Sequence, residues 1–282
     1  MKFVKMHGIG NDFILVNGFK EQMPPNIPLT AQNLCDRHFG IGADGLVFLL
    51  PSEKADIRMR YFNSDGSEGE MCGNAIRCFA KYAFEEGLVH KESFTVETLA
   101  GVMLPRLVLR DGKVTAVTVD MGEPSLEREK VPMSGPKGRA INEPLPVLDT
   151  VFYVTALLLG VPHCIIFVDD VERIDLEKYG PAIECHPVFP RKTNVHFIEV
   201  LNDREMKMRV WERGAGLTLA CGTGACASLV AAVLNNKTGR KAKIHLPGGT
   251  LNIEWALNNH VYMTGPAQTV FAGEVKDVSL IK

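Results

Sequence analysis

Two Cys-Gly dipeptides stand at the start of apolar stretches with helical spacing. Cys72-Gly73 precedes a predicted helix over 74–86, and Cys221-Gly222 precedes one over 223–236. A cysteine at a helix start lies where unpaired backbone N–H groups and the positive end of the helix dipole converge. That position lowers the pKa of the thiol, and the same N–H groups can hold a carboxylate. Each dipeptide therefore predicts a reactive sulfur beside half of an anion site.

Two such sulfurs could invert a carbon that lies between them. Inversion of an α-carbon requires a base on one face and an acid on the other. One thiolate would remove the proton and the opposite thiol would deliver another, while helix N–H groups would stabilise the developing enolate. We therefore expect Cys72 and Cys221 to face each other across a cleft between two halves of the chain. The alternative interpretation is a pair of ordinary core cysteines.

The surroundings of the two dipeptides repeat in order and in spacing. Residues 10–16 resemble 160–166, and residues 61–73 resemble 210–222. The separation from Gly10 to Cys72 is 62 positions, and that from Gly160 to Cys221 is 61. Similar segments in the same order at nearly equal spacing indicate an internal duplication.

Many short strand signals surround these helices, which favours a sheet-rich fold. A helix as apolar as 220–234 must be buried nearly all round. We therefore predict an α+β fold of two pseudo-symmetric domains, each a curled, β-barrel-like sheet around a central helix. The predicted strands cover 56–62, 93–99, 102–109, 114–121, 194–200, 205–211, 243–246 and 250–255. The proline-rich segment 124–149 is expected to contain the crossing between the halves.

Composition excludes several classes of function. A net charge of −2 gives no electrostatic reason to expect a nucleic acid or a membrane surface as partner. The start of the chain lacks the apolar core of a signal peptide, so we expect a cytoplasmic protein. The apolar segment 151–168 contains Gly160, Pro162 and His163, and is interpreted as two buried segments joined by a turn rather than a membrane span.

The seven cysteines do not form a metal-binding pattern. They contain no Cys-x-x-Cys pair, and no histidine cluster has zinc spacing, so no metal is predicted. Reduced thiols are expected in the cytosol. Cys35, Cys78, Cys164 and Cys185 are predicted to be small buried apolar residues.

At these residues the sequence closely resembles the diaminopimelate epimerases, which interconvert LL- and meso-diaminopimelate without pyridoxal phosphate. The resemblance covers essentially the whole chain and includes the pairs Pro162-His163 and Glu212-Arg213. Its motifs lie at residues 6–13 (MHGIGNDF), 63–67 (NSDGS), 71–74 (MCGN), 162–163 (PH), 193–195 (TNV), 212–214 (ERG) and 220–224 (ACGTG).

The resemblance implies a fold, an assembly and a site. It implies two domains, 1–121 plus 268–282 and 122–267, since the C-terminal segment returns to the first domain in this family. It implies a homodimer, a small-molecule amino-acid substrate and no cofactor. Cys72 and Cys221 would be the acid/base thiols, with His163 near them to set their protonation and Glu212 counted among both the catalytic and the substrate-binding groups. The carboxylate at the reacting centre would be held by Gly73, Asn74, Gly222 and Thr223, and the remaining substrate contacts would come from Asn11, Asn63, Asn194, Glu212 and Arg213.

Two departures from the family pattern leave the substrate more open than the chemistry. The family motif Gly-Asn-Pro-His has Val161 in place of asparagine, whereas its duplicate keeps Asn11. Leu217 replaces a glutamate that usually precedes the second cysteine motif. A racemase or epimerase of another amino acid on the same fold therefore remains an alternative. A thiol redox switch or binding protein is an alternative from a different class.

Overall fold

The computed structural model describes residues 1–276, which divide into two compact units. Unit 1 comprises Met1–Val119 and residues 265–276, and unit 2 comprises Asp120–Thr264. Residues 277–282 of the predicted first domain lie outside the described residues. The predicted domain limits were residues 121 and 267, so the observed boundaries lie two and three residues before them. The segment 124–149 belongs wholly to unit 2 and is not where the chain passes between units.

The elements follow one another in the same kind of order in both units. Up to the unit boundary they are β1 (Lys2–Gly8), β2 (Asn11–Asn17), α1 (Ile27–Cys35), β3 (Gly45–Leu50), β4 (Ile57–Asn63), β5 (Glu68–Gly69), α2 (Gly73–Glu85), β6 (Val96–Thr98), β7 (Gly101–Met103), β8 (Arg106–Arg110) and β9 (Lys113–Asp120). Unit 2 contains β10 (Ala140–Val147), β11 (Thr150–Leu159), β12 (Val161–Val168), α3 (Leu176–Glu184), β13 (Asn194–Asn202), β14 (Glu205–Glu212), β15 (Gly216–Thr218), α4 (Gly222–Leu234), β16 (Lys241–Leu246), β17 (Gly249–Trp255) and β18 (Val261–Gly265). The chain then returns to unit 1 as β19 (Gln268–Glu274).

Strand pairing confirms the internal duplication. In unit 1 the sheet order is β19-β1-β2-β3-β4-β6-β7, with β5 beside β4. In unit 2 the run β11-β12-β13-β14-β16-β17 has the same connections, with β15 beside β14. Both runs contain two parallel pairs at matching places, β2–β3 and β4–β6 in unit 1, and β12–β13 and β14–β16 in unit 2. The sheets are curled and mixed, and neither forms a closed barrel within residues 1–276.

Each central sheet has a helix on both faces, which explains the unbroken apolar runs in β2, β3 and β12. Strands covered on both faces are apolar throughout rather than alternating. In unit 1, Ile14, Leu46 and Phe48 pack with Leu34 of α1, and α2 packs on β1 to β4. In unit 2 the residues that pack with α3 are Cys164, Ile166, Val195 and Phe197, while α4 packs on β11, β12 and β13.

The predicted central helices are confirmed to within two residues at each end. The helices α1 and α3, which cover the second face of each sheet, were not predicted. The single strand predicted over 102–109 is wrong, because β7 ends at Met103 and β8 begins at Arg106. The apolar segment 151–168 forms the antiparallel hairpin β11–β12, which turns at Gly160 with φ 71°. Among the described residues, no helix has the length and apolarity needed to span a membrane.

Candidate active site

Both cysteines occupy the last extended position before a central helix. Cys72 precedes α2 with φ −135° and ψ 121°, and Cys221 precedes α4 with φ −128° and ψ 105°. Cys72 is half-buried, whereas Cys221 is buried with 4% of its surface exposed. The duplication therefore carries the same backbone geometry into both units, as the two Cys-Gly motifs predicted.

In unit 1 the side chain of Asn11 links Cys72 to a charged cluster. Its Oδ1 lies 3.1 Å from Nδ2 of Asn74 and 3.8 Å from Sγ of Cys72, both of which donate to it. Its Nδ2 donates to the carboxylate of Asp44 over 2.6 Å. Asn11 is placed by the tight turn Ile9-Gly10, in which both residues have positive φ (52° and 89°). A β-branched residue in that region is rare, which indicates that the surroundings hold this turn in place.

The cluster behind Asn11 consists of ion pairs between β1, β2 and the segment before β3. Lys5, with 8% of its side chain exposed, lies 2.7 Å from Asp12, and Arg37 reaches both Asp12 and Asp44 at 2.8 Å. Burial raises the pKa of Asp12, but hydrogen bonds from Arg37 and Lys5 outweigh it and bring that pKa down to about 2. The Asp12 carboxylate is therefore charged near neutral pH.

Asn63 ends β4 next to a buried tyrosine. Its Oδ1 accepts a hydrogen bond from the hydroxyl of Tyr61 over 2.6 Å, and its Nδ2 donates one to the hydroxyl of Ser67 over 2.9 Å. Burial is the main cause that raises the pKa of Tyr61 above its usual value, and the charge of a Cys72 thiolate raises it further. Asn63, Tyr61 and Cys72 thus belong to one neighbourhood.

At Cys221, burial has a larger effect on the pKa of the thiol than the position at the helix start does. The pKa of the Cys221 thiol is raised well above its usual value, first by burial and then by the charge of Glu212. The hydroxyl of Thr223, 3.6 Å from the sulfur, and the backbone N–H of Gly224 oppose this rise. The expectation of a lowered pKa is therefore wrong for Cys221 in this state, because desolvation disfavours the thiolate more than these donors stabilise it.

Contacts connect the other predicted residues of unit 2 to Cys221, beginning with Glu212. Glu212 ends β14 and accepts a hydrogen bond from Thr218 over 2.5 Å. The backbone N–H of Arg213 donates to Oδ1 of Asn194 over 2.7 Å, and the guanidinium of Arg213 donates to the carbonyl of Arg191 over 3.0 Å. Because the side-chain oxygen of Asn194 accepts this hydrogen bond, its NH₂ group points away from the backbone of Arg213.

His163 is fully buried and pairs with a second histidine that was not predicted as a site residue. Its Nδ1 lies 2.8 Å from Nε2 of His196 on the neighbouring strand, and both residues have 0% exposure. Burial and, to a smaller extent, the charge of Arg213 lower the pKa of His163 to about 3. Burial also lowers the pKa of His196 well below its usual value. Both rings are therefore neutral, and one N–H between them can be donated.

This neutral pair predicts a loss of stability in mild acid. The pKa values in the fold lie below the unfolded value of 6.5, so the unfolded chain binds more protons as pH falls from 6.5 towards 3. Between pH 7.5 and 5, each imidazole should remove about 2 kcal/mol from the free energy of unfolding. Urea unfolding at the two pH values measures the sum, and His196→Leu should reduce the pH-dependent part by about half.

A half-buried histidine, His260, gives the control for this prediction. Asp120 raises the pKa of His260, so that group adds stability at low pH, which it loses as pH rises through its folded pKa. His260→Gln should therefore leave the acid-dependent loss in place or enlarge it. An unfolding free energy that is independent of pH from 7.5 to 5 would contradict the buried neutral pair.

The structure places the predicted residues in two groups, one in each unit. Unit 1 brings together Cys72, Gly73, Asn74, Asn11 and Asn63. Unit 2 brings together Cys221, Gly222, Thr223, His163, Asn194, Glu212 and Arg213. The supporting residues Asp44, Thr218 and His196 were not predicted, because their importance depends on tertiary contacts.

The structure also bears on two other residues that the sequence singled out, Cys185 and Val161. Cys185 is exposed at the end of α3, so its predicted burial is wrong, whereas Cys35, Cys78 and Cys164 are buried as expected. Val161 begins β12 and pairs with Leu159, so the residue that replaces asparagine here serves the hairpin. Among the described residues, no group of three or more His, Cys, Asp or Glu side chains is placed to hold a metal ion.

Comparison with known proteins decides the family. The family model described as diaminopimelate epimerase matches residues 3–127 and 155–270, and these ranges contain every residue of both groups. This chain belongs to the diaminopimelate epimerase family. It is 59% identical to the diaminopimelate epimerase of Pelotomaculum thermopropionicum, over 97% of this chain and 98% of that protein. It is 56% identical to the diaminopimelate epimerase of Moorella thermoacetica, over 97% of this chain and 99% of that protein. Members of this family are isomerases.

Solved structures with much lower identity share the fold. A Bacillus anthracis protein of the PhzF phenazine-biosynthesis family superposes with a TM-score of 0.72 at 18% identity, over 98% of each chain. A probable proline racemase from Agrobacterium radiobacter superposes with a TM-score of 0.68 at 16% identity, over 97% of this chain and 92% of that one. The diaminopimelate epimerase family thus shares its architecture of two sheet-rich domains with these proteins.

Proposed function

We propose that this chain converts LL-diaminopimelate to meso-diaminopimelate by a two-base mechanism that needs no cofactor, with Cys72 and Cys221 as the acid and base. The observation that carries the proposal is the duplicated helix start, which gives each unit a cysteine with the same backbone geometry. Membership of the diaminopimelate epimerase family supports the substrate. The reaction serves the biosynthesis of lysine and of cell-wall precursors.

The two thiols act on opposite faces of one α-carbon. The base thiolate takes the α-proton, the electron pair enters the carboxylate as an enolate, and the other thiol gives its proton to the opposite face. The acid becomes a thiolate and the base becomes a thiol, so the roles are exchanged for the reverse direction. Because burial keeps the proton on Cys221, we assign it as the first acid, and the half-buried Cys72 as the group that loses its proton to solvent.

Helix starts hold the carboxylate of the reacting centre. Backbone N–H groups of the first turns of α2 and α4, at Gly73, Asn74, Gly222 and Thr223, are the donors. They stabilise the enolate more than the ground-state carboxylate, because the negative charge on its oxygens grows as the proton leaves. Such donors need no reorientation during the reaction, since the helices already fix them.

The distal amino-acid end of the substrate carries one positive and one negative group. Glu212 offers a carboxylate for the ammonium group, and the guanidinium of Arg213 can hold a carboxylate in a bidentate manner. The side chain of Asn194 lies beside Arg213, because its oxygen accepts the backbone N–H of Arg213. Asn11 and Asn63 supply the contacts from unit 1. This pairing of opposite charges favours a substrate with a second zwitterionic end.

His163 acts as a neutral group near the second thiol. A charged imidazolium there would stabilise the Cys221 thiolate and would repel the Arg213 guanidinium. Burial keeps the ring neutral, so it leaves the Cys221 proton available for donation. We further propose that the enzyme works in the cytoplasm as a homodimer.

The test is incubation of LL-diaminopimelate with the protein in deuterated water, followed by chiral separation and mass measurement. The proposal expects meso-diaminopimelate that carries one α-deuterium. Proline, hydroxyproline, lysine and arginine are run in parallel, since a racemase or epimerase of another amino acid would label one of these instead. Absence of both meso product and label from LL-diaminopimelate would reject the proposed substrate.

A redox switch that uses the same cysteines is the second candidate function. It predicts that substitution of either cysteine by serine leaves epimerisation intact and removes a response to oxidants. The two-base mechanism predicts the reverse, with epimerisation lost. The charged pair Glu212-Arg213 and the asparagines favour the enzyme, because a disulfide switch has no use for groups that recognise a zwitterion.

A further inference from the structure

One carboxylate outside the two groups of site residues determines how the Asn11 amide is turned. Asp44 lies in the segment between α1 and β3, and its Oδ2 accepts hydrogen bonds from Nδ2 of Asn11 (2.6 Å) and from the backbone N–H of Asp12 (3.0 Å). Its Oδ1 accepts from Nη2 of Arg37 over 2.8 Å. The backbone N–H of Asp44 in turn donates to Asp12, so the carboxylate is fixed from several sides.

An asparagine amide can be turned in two ways, and its neighbours decide between them. A carboxylate can only accept hydrogen bonds, so the NH₂ group of Asn11 must point to Asp44. Its oxygen then points to Cys72 and Asn74, which both donate to it. A turned amide would place NH₂ against NH₂ at Asn74 and oxygen against carboxylate at Asp44.

The orientation of the Asn11 amide determines which protonation state of Cys72 is favoured. An acceptor beside the sulfur binds the S–H proton and favours the thiol, whereas an N–H donor at the same place would favour the thiolate. The second unit has no matching amide, because Val161 occupies the duplicated position. There the hydroxyl of Thr223 approaches Cys221, and a hydroxyl can donate as well as accept.

We propose that Asp44 is a positioning residue that, through Asn11, stabilises the thiol form of Cys72 and so raises the pH at which this cysteine loses its proton to become the base. The role in catalysis rests on the proposed function, in which Cys72 is the first base. Asp44 then sets the pH at which the base forms. Tyr61 of β4 together with Arg77 and Cys78 of α2 are further titratable or charged groups near Cys72 in unit 1, and the charge of Asp44 also raises the pKa of Tyr61.

The test measures the alkylation rate of Cys72 against pH, by site-resolved mass spectrometry on the full chain without substrate. Asp44→Asn replaces a carboxylate, which can only accept, by an amide that can also donate, so the Asn11 amide is no longer held in one orientation and can turn and donate to the sulfur. The midpoint of Cys72 alkylation should move about one pH unit lower, which is the scale of one hydrogen bond to a charged group. Site resolution is needed because the exposed Cys185 also reacts.

A double-substitution cycle separates orientation from loss of a negative charge. Asn11→Leu removes the amide and keeps Asp44, and Asp44→Asn is then repeated in that background. If Asp44 acts through Asn11, its substitution shifts the midpoint much less in the Asn11→Leu variant than in the original chain. Asp56→Asn is the matched control, because Asp56 is also a fixed carboxylate of unit 1, held by Lys91 and Thr95. It should leave the midpoint unchanged.

Equal shifts in both backgrounds, or no shift for Asp44→Asn, would overturn the proposal. Thermal unfolding of each variant verifies that it is folded. These outcomes do not depend on turnover, so the proposal about Asp44 can fail while the epimerase assay succeeds, and the reverse also holds. In the epimerase assay, Asp44→Asn should extend activity to lower pH in the direction that begins with Cys72 as base, and should raise KM because Asn74 loses its partner.

Discussion

Replacement of Cys72 or of Cys221 by serine is expected to lower epimerisation about a thousandfold, within the range that general acid–base groups contribute. A serine hydroxyl keeps the size of the side chain but is not ionised near neutral pH, so it cannot serve as the base. The folds should persist, because neither substitution changes the helix starts around it. Chiral chromatography of diaminopimelate measures the loss.

Exchange of the α-proton should distinguish the two variants from each other. Each variant keeps one thiol, which can remove and return a proton on its own face of the α-carbon. Cys72→Ser and Cys221→Ser should therefore exchange the α-hydrogen of opposite isomers with deuterated water, without inversion. Cys185→Ser, at the exposed end of α3, is the matched control and should retain full activity. Exchange of the same isomer by both variants would contradict two opposed bases.

Gly224→Ala is expected to have the second largest effect, since it changes the helix start that carries Cys221. A methyl group at this third residue of α4 would overlap Cε1 of His196 and lie 2.8 Å from its Nδ1. The ring is fully buried and cannot move aside into solvent, so we expect the helix start to shift. We expect a loss of about 1–3 kcal/mol in the free energy of unfolding. A shift of about 1 Å at the sulfur should lower kcat roughly a hundredfold.

The buried ring supplies an internal test of this explanation. His196→Ala removes the atoms that the new methyl group would strike, so Gly224→Ala should cost much less in that background. Gly239→Ala is the control, because a methyl group there has open space in the same unit. Additive costs for Gly224→Ala and His196→Ala would show that the close contact is not the cause. Urea unfolding gives the energies, and initial rates give the effect on catalysis.

The fold was predictable to the extent that it depends on local pattern and duplication. The repeat around Cys72 and Cys221 predicted both central helices, since their apolar character and following glycines are properties of short segments. The outer helices were missed although their caps were visible. Asn26 accepts the backbone N–H of Leu29 at the start of α1, and Asp175 accepts that of Lys178 at the start of α3. Pro28 in the first turn of α1 was a further helix signal.

The supporting residues of the site could not be predicted from local sequence. Asp44 acts on Asn11 across 33 positions, and His196 meets His163 across the same separation. The sequence shows that a carboxylate or an imidazole is present, but only strand register places it against its partner. The expected fall in thiol pKa failed at Cys221 for a related reason. Burial depends on the whole core, whereas the helix-start argument uses only the neighbouring residues.

The central claim of two opposed thiols is tested most directly by the first product molecules formed from LL-diaminopimelate in deuterated water. The acid thiol carries solvent deuterium, whereas the base thiol holds the proton it has just removed. At initial rate, the meso product should therefore contain one α-deuterium, while the remaining LL substrate contains none. A single base that serves both faces would return the removed proton, so unlabelled meso product at initial rate would contradict the account.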